Sequence, residues 1–106
     1  MAALAVLVSG AGNRGVGFDP VAAVKNGGLL LDVRTSGEYS AGHVAGALNI
    51  SVDQLESRLS ELGPKDRDLI VYCHSGTRSA RAARILSAAG FTRVHDLGPM
   101  SSWPGG

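Results

Sequence analysis

The chain holds one cysteine, Cys73, at the end of an apolar run and the head of the polar stretch His74-Ser75-Gly76-Thr77-Arg78-Ser79. A cysteine attacks as its thiolate, and thiolates are favoured where backbone N–H groups and a helix N-terminus converge on the sulfur. Ser75, Gly76 and Thr77 are small or flexible enough for successive amides to curl into a concave anion nest, and Gly76 tolerates a positive φ if the turn demands one. Ser79 closes the polar run, and Arg78 adds a permanently charged planar fork suited to oxyanions. These types in this order point to a sulfur nucleophile beside an anion clamp. The competing reading is a buried structural thiol at a strand end, which gives no reason for the nest and the arginine that follow. His74 has two open readings: a protonated neighbour that adds positive field, or a loop side chain facing solvent. Cys73 with His43, His74 and His95 lacks metal-finger spacing, so neither a metal nor another cofactor is expected.

The elements that must hold this stretch alternate between strand and helix. Asp19-Pro20 is a helix start with an acceptor at the N-cap and proline at N1. Val21 and Val24 form its apolar face, and Gly27-Gly28 stop it. Leu29-Leu30-Leu31-Asp32-Val33 has the continuous apolar pattern of a strand covered on both faces. Ser51-Val52-Asp53-Gln54 fits a capping box, with Leu55, Leu59 and Leu62 following at helical spacing until Gly63-Pro64. Leu69-Ile70-Val71-Tyr72 is a second buried strand, and Ala80–Ala89 a helix closed by Gly90. Phe91–Leu97 supplies a third strand, reached through that helix as a parallel crossover requires. The class is α/β, and the strand–loop–helix order around Cys73 is a ligand-binding arrangement.

At 106 residues, 44% of them apolar, the chain has room for one small domain and too much apolar content for disorder. Ten Lys and Arg against nine Asp and Glu leave a net charge of +1, which argues against nucleic acid or anionic lipid as the main partner. The single cysteine excludes an intrachain disulfide framework and leaves the redox compartment open. The apolar stretch Ala2–Val8 is far below the roughly 20 residues of a membrane span. Followed by Ser9-Gly10-Ala11, it resembles a worn signal peptide without a basic leader, so a cytoplasmic protein is expected, with export as the alternative. An extra strand or a loose tail is the plainer reading. Gly10-Ala11-Gly12-Asn13-Arg14-Gly15 is a literal dinucleotide fingerprint, but Gly17 and Pro20 interrupt the helix that motif needs.

Four segments, Asp32-Val33-Arg34, Glu38-Tyr39, Gly42–Asn49 and Val71–Ser79, together resemble the single-domain rhodanese sulfurtransferases, in the order and spacing of that family from about Val16 to Trp103. The resemblance implies a small parallel sheet flanked by helices on both faces, with residues 16–106 as the single domain and 1–15 as an extension of uncertain structure. It implies ping-pong transfer of sulfane sulfur from thiosulfate or a similar donor, through a persulfide on Cys73, to cyanide or to a thiol or protein acceptor. His74, Ser75, Gly76, Thr77, Arg78 and Ser79 would hold the persulfide and the donor's anionic end. Asp32, Arg34 and Glu38 would support the site, Arg34 and Glu38 as an internal ion pair. Partners are then a small-molecule donor and acceptor and a possible protein acceptor, with no nucleic acid and no membrane span, on a monomer.

The chain departs from the family at Gly98-Pro99-Met100, where a double glycine is usual, and the family's last helix is expected to be missing. Pro99 removes a backbone donor beside the loop and puts the local geometry there in question. His43 reads as a hydrogen-bonded scaffold residue, and Phe18 and Trp103 as packing residues. Two other classes compete with sulfur transfer. A phosphatase or arsenate reductase relative would place its arginine six positions after the cysteine, at Ser79, whereas Arg78 stands five on and makes a smaller cradle. A catalytically silent interaction module of the same fold would have no need to keep Cys73.

Overall fold

The computed structural model describes residues 17–105. The expectations for the segment before them, namely the extension, the signal-like run and the glycine fingerprint, lie outside the described residues. Helix α1 (Pro20–Lys25) opens as expected, with the Asp19 carboxylate accepting from the amides of Val21 and Ala22 at 3.0 and 3.1 Å. There follow β1 (Leu29–Asp32), α2 (Ser36–Ala41), β2 (Leu48–Asn49), a 3-10 segment (Val52–Leu62), β3 (Leu69–Cys73), α3 (Thr77–Ala88), β4 (Val94–Pro99) and a 3-10 turn (Met100–Ser102).

The four strands form one parallel sheet in the order β2-β1-β3-β4. Parallel neighbours need crossovers, and helical segments supply them. Alternation along β1 and β3 sends Leu31, Val33, Leu69, Val71 and Cys73 to one face, where Leu55 and Leu62 of the 3-10 segment and Ala82 and Leu86 of α3 cover them. Leu30, Ile70 and Tyr72 go to the other face, against Val44 and Ala47, with Val24, Tyr39, Met100 and Trp103 packed around them. Both faces are covered, which is why every residue of β3 is buried and its sequence is apolar throughout. No helix among the described residues is long and apolar enough to cross a membrane.

Four local expectations are corrected. The capping box at Ser51-Val52-Asp53-Gln54 does not form: the Gln54 amide bonds the Ser51 carbonyl at 2.8 Å in a 3-10 turn, which leaves the Ser51 hydroxyl nothing to cap. The spacing of Leu55, Leu59 and Leu62 marks a helical face but not the helix pitch, and the segment is 3-10 with a break at Arg58. The last strand starts at Val94 instead of Phe91, because the Phe91 amide closes α3 on the Leu86 carbonyl at 3.1 Å and its ring is buried in the core beneath. Phe18, expected to pack, is 40% exposed and stacks on His95 with ring centroids 3.8 Å apart. Trp103 does pack, on the second face. Among the described residues β4 is an outer strand, paired with β3 alone, a position in which proline is tolerated at Pro99.

Candidate active site

Cys73 ends β3, and its side chain is buried. His74, Ser75 and Gly76 carry the chain away from the strand, and Gly76 sits at φ 104°, in the left-handed region that glycine enters without strain. A Cβ there would meet only Pro99 Cδ at 3.8 Å and Gly98 Cα at 3.9 Å, so conformation and not space demands glycine. The turn brings the Gly76 amide to 2.9 Å from the Cys73 Sγ, to which it donates. Helix α3 begins at Thr77, not at Ala80, so Thr77, Arg78 and Ser79 form its first turn rather than the end of a loop.

Two opposing effects act on the thiol. Burial pushes it up, but the backbone amides of Ser79, Gly76 and Ser75, with the Ser79 hydroxyl, stabilise the thiolate and leave the thiol below its ordinary value. Ser79 is itself buried, and its single hydroxyl hydrogen, when turned from the sulfur to the Gly76 carbonyl 3.0 Å away, ties the first turn of α3 to the loop. Of the stretch expected to form a nest, the amides of Ser75, Gly76 and Ser79 act on the sulfur.

The arginines pair differently from expectation. Arg34 does not meet Glu38. It lies two residues after Asp32 on the same side of the chain, and its Nη2 bonds Asp32 Oδ2 at 2.7 Å, with Nε to Oδ1 at 3.0 Å. The same Nη2 donates to the Gly42 carbonyl at 2.8 Å. Asn49 completes the brace by donating from Nδ2 to the carbonyls of Asp32 and Arg34 at 3.0 and 2.9 Å.

Glu38 instead receives Arg78 in a two-pronged pair, Nη1 to Oε1 at 2.6 Å and Nη2 to Oε2 at 3.0 Å. It also closes the capping box of α2, accepting from the Thr35 amide at 3.0 Å while Thr35 Oγ1 accepts from the Glu38 amide at 3.2 Å. Arg78 and then the Thr35 amide hold the Glu38 carboxyl down at about 2. The expected anion clamp is thus already matched by a carboxylate of the protein.

His74 is exposed and shares with Gly42, His43, Val44, Met100 and Ser101 a cavity of about 510 Å³. His43 is set by its neighbours: Nδ1 lies 2.8 Å from the Tyr39 carbonyl, so it carries the proton, and the ring stacks on Tyr39 with centroids 3.6 Å apart. The Tyr39 hydroxyl in turn donates to the Ala47 carbonyl at 2.6 Å. The scaffold expectation for His43 fits this geometry, and its place in a cavity wall was not expected. Tyr72 is a residue that sequence reasoning missed: its hydroxyl accepts from the Val44 amide at 3.1 Å and ties the cavity wall to the residue before Cys73. Burial first, and then Asp32, push that hydroxyl up to about 12. His95 lies at the other end of the strands, where it pairs with Asp68 at 2.8 Å. Among the described residues no three His, Cys, Asp or Glu side chains gather where a metal could be held.

Comparisons with known proteins agree with this geometry. The profile of the rhodanese-like domain matches residues 20–103. A sulfurtransferase of Allochromatium vinosum is 41% identical over 76 residues, which span 71% of this chain and 70% of that protein. The thiosulfate sulfurtransferase PspE of Escherichia coli is 38% identical over 69 residues, 64% of this chain and 66% of that one. Among solved structures, a rhodanese with anions from Escherichia coli superposes with a TM-score of 0.67 at 33% identity, covering 70% of this chain and 88% of the other. With the family profile matched over residues 20–103 and a relative 41% identical over 71% of its length, the chain belongs to the rhodanese-like domain family.

Proposed function

We propose that this protein is a sulfurtransferase that carries sulfane sulfur as a persulfide on Cys73, with thiosulfate or a similar compound as donor. The observation that carries the reading is the Gly76 amide 2.9 Å from a thiol whose anion is favoured by three backbone amides. The Cys73 thiolate attacks the outer sulfur of thiosulfate. The S–S bond of the donor breaks, its electron pair leaves on sulfite, and Cys73 becomes a persulfide. Cyanide or a thiol then attacks the outer sulfur and restores the thiolate, leaving as thiocyanate or as a new persulfide. The amides of Ser75 to Ser79 hold the negative charge in both forms, and His74 faces the incoming molecule. Family relatives that are sulfurtransferases support sulfur transfer in general.

In this reading residues 16–106 act as one domain and as a monomer, with Asp32, Arg34 and Glu38 supporting the site and no cofactor. The setting is the cytoplasm, where a lone thiol stays reduced. The test is thiocyanate formation from thiosulfate and cyanide. The protein should turn over, and Cys73→Ser should abolish turnover while melting at a similar temperature. Equal activity in Cys73→Ser would remove the cysteine from the chemistry.

A further inference from the structure

An arginine that is to receive a substrate anion is useful only if its donors are available. Arg78 points two of them at Glu38, at 2.6 and 3.0 Å, in the parallel geometry that a carboxylate and a guanidinium favour most. Glu38 does not swing freely: its Oε1 also accepts from the Thr35 amide at 3.0 Å and the Thr35 hydroxyl at 3.1 Å, so the first turn of α2 holds the carboxylate in place. The two side chains are 33% and 35% exposed, within reach of a solute and not sealed in the core. A donor's anionic end must therefore compete with a preset intramolecular carboxylate for the same fork. The competition is steepest for a small dianion such as thiosulfate and absent for a donor whose far end is uncharged. The walls of the neighbouring cavity add no cation that is permanently charged, since they are Gly42, His43, Val44, His74, Met100 and Ser101.

Building on the sulfurtransferase reading, we propose that Glu38 is a specificity-determining residue: by occupying Arg78 it holds the site back from dianionic sulfur donors and favours organic persulfides with little charge at their far end. Glu38 touches neither the donor nor the sulfur and acts through Arg78. Removing its charge while keeping its shape releases the guanidinium, because glutamine at the third helical position can still complete the capping box with Thr35.

The experiment compares the wild-type protein, Glu38→Gln, Arg78→Ala and the double variant, with thiosulfate and with benzyl hydropersulfide as donors. Cyanide is the acceptor, and loading of Cys73 is followed by mass. Glu38→Gln should lower KM for thiosulfate by roughly 3- to 10-fold with kcat little changed, and leave the constants for the uncharged persulfide as they were. In the Arg78→Ala background the same substitution should bring no gain, because there is no guanidinium to release. An unchanged or raised KM in Glu38→Gln overturns the proposal. So does a gain that persists without Arg78, which would mark a general effect of removing one negative charge. If Glu38→Gln fails to fold, Glu38→Asp, which keeps the charge but shortens the arm and loosens the fork, should lower KM for thiosulfate by less, and no change there also overturns it. Failure of wild-type Cys73 to take sulfur from either donor is a different result: it removes the sulfurtransferase reading itself, and this proposal with it.

Discussion

Two arginine–carboxylate pairs stand close to Cys73, and they differ in burial more than in bonding. Arg34 and Asp32 meet at 2.7 Å with side chains 5% and 0% exposed, whereas Arg78 and Glu38 meet at 2.6 Å with both side chains about one-third open. In the first pair the guanidinium also holds the Gly42 carbonyl and Asn49 holds the backbone on both sides, so every group is spoken for and nothing can be exchanged with solvent. In the second, a solute can compete for either partner. Equal distances thus serve two purposes: the closed pair shapes the turn that leads to His43, and the open pair sets what the loop can bind. Burial decides which, because removing one partner of a buried pair strands a charge, while an exposed one is rescued by water.

The largest expected effect follows from that difference. Asp32→Ala should destabilise the fold by about 3–5 kcal/mol, the usual result of leaving a buried guanidinium without its counter-ion. Thermal unfolding followed by circular dichroism checks it, and Glu38→Ala in the same assay should melt only slightly lower. Comparable losses in the two variants would erase the distinction between the pairs. Next in size, Arg78→Ala should raise KM for thiosulfate by roughly 10-fold, the low end for a charge-assisted contact, since Glu38 already competes for that guanidinium. Steady-state kinetics at constant ionic strength reads this out, and unchanged kinetics would take Arg78 out of donor binding.

Titration sharpens the comparison. Tyr72, next to the closed pair, keeps its proton up to about 12 when folded against an ordinary 10.0. An acid whose folded value is raised contributes stability that is complete below the unfolded value and is lost as the pH climbs from 10.0 towards 12. Alkaline unfolding should therefore steepen in that window, and Tyr72→Phe should flatten it. Glu38 has the opposite sign. Its carboxyl is held at about 2 against an ordinary 4.5, so the pair supports the fold fully above 4.5 and fades as the pH falls towards 2. Because both partners are open to solvent, this acid limb should be the smallest effect, visible as a difference between wild type and Glu38→Gln in acid melts and suppressed by salt.

Much of this arrangement can be read from the sequence, and the part that cannot has a common physical cause. The apolar runs Leu29–Leu31 and Leu69–Tyr72, short and bounded by turn residues, read as strands covered on both faces, and a cysteine followed by small residues and an arginine points to an anion nest. Those features are local. The partner of Arg78 lies 40 residues away in the chain and is chosen by how the first turns of α2 and α3 face each other, which no spacing encodes. For the same reason Arg34 and Glu38, neighbours in sequence, look paired until Asp32 is seen to share the side of the chain on which Arg34 projects. The 3-10 form of Val52–Leu62 escaped because leucine periodicity reports a helical face and not its pitch. Phe91 misleads as an aromatic at the start of a strand-like run, when its burial closes the end of α3.

The central claim is that Cys73 carries sulfur, and the mass of the intact protein tests it most directly. Freshly reduced and folded protein treated with thiosulfate should gain about 32 Da, the mass of one sulfur atom in a reversible cysteine persulfide. Cyanide should strip that mass and yield an equivalent of thiocyanate, and Cys73→Ser should show neither event. A folded wild-type protein that stays at its unmodified mass with thiosulfate and with an organic persulfide, and forms no thiocyanate, would contradict the account.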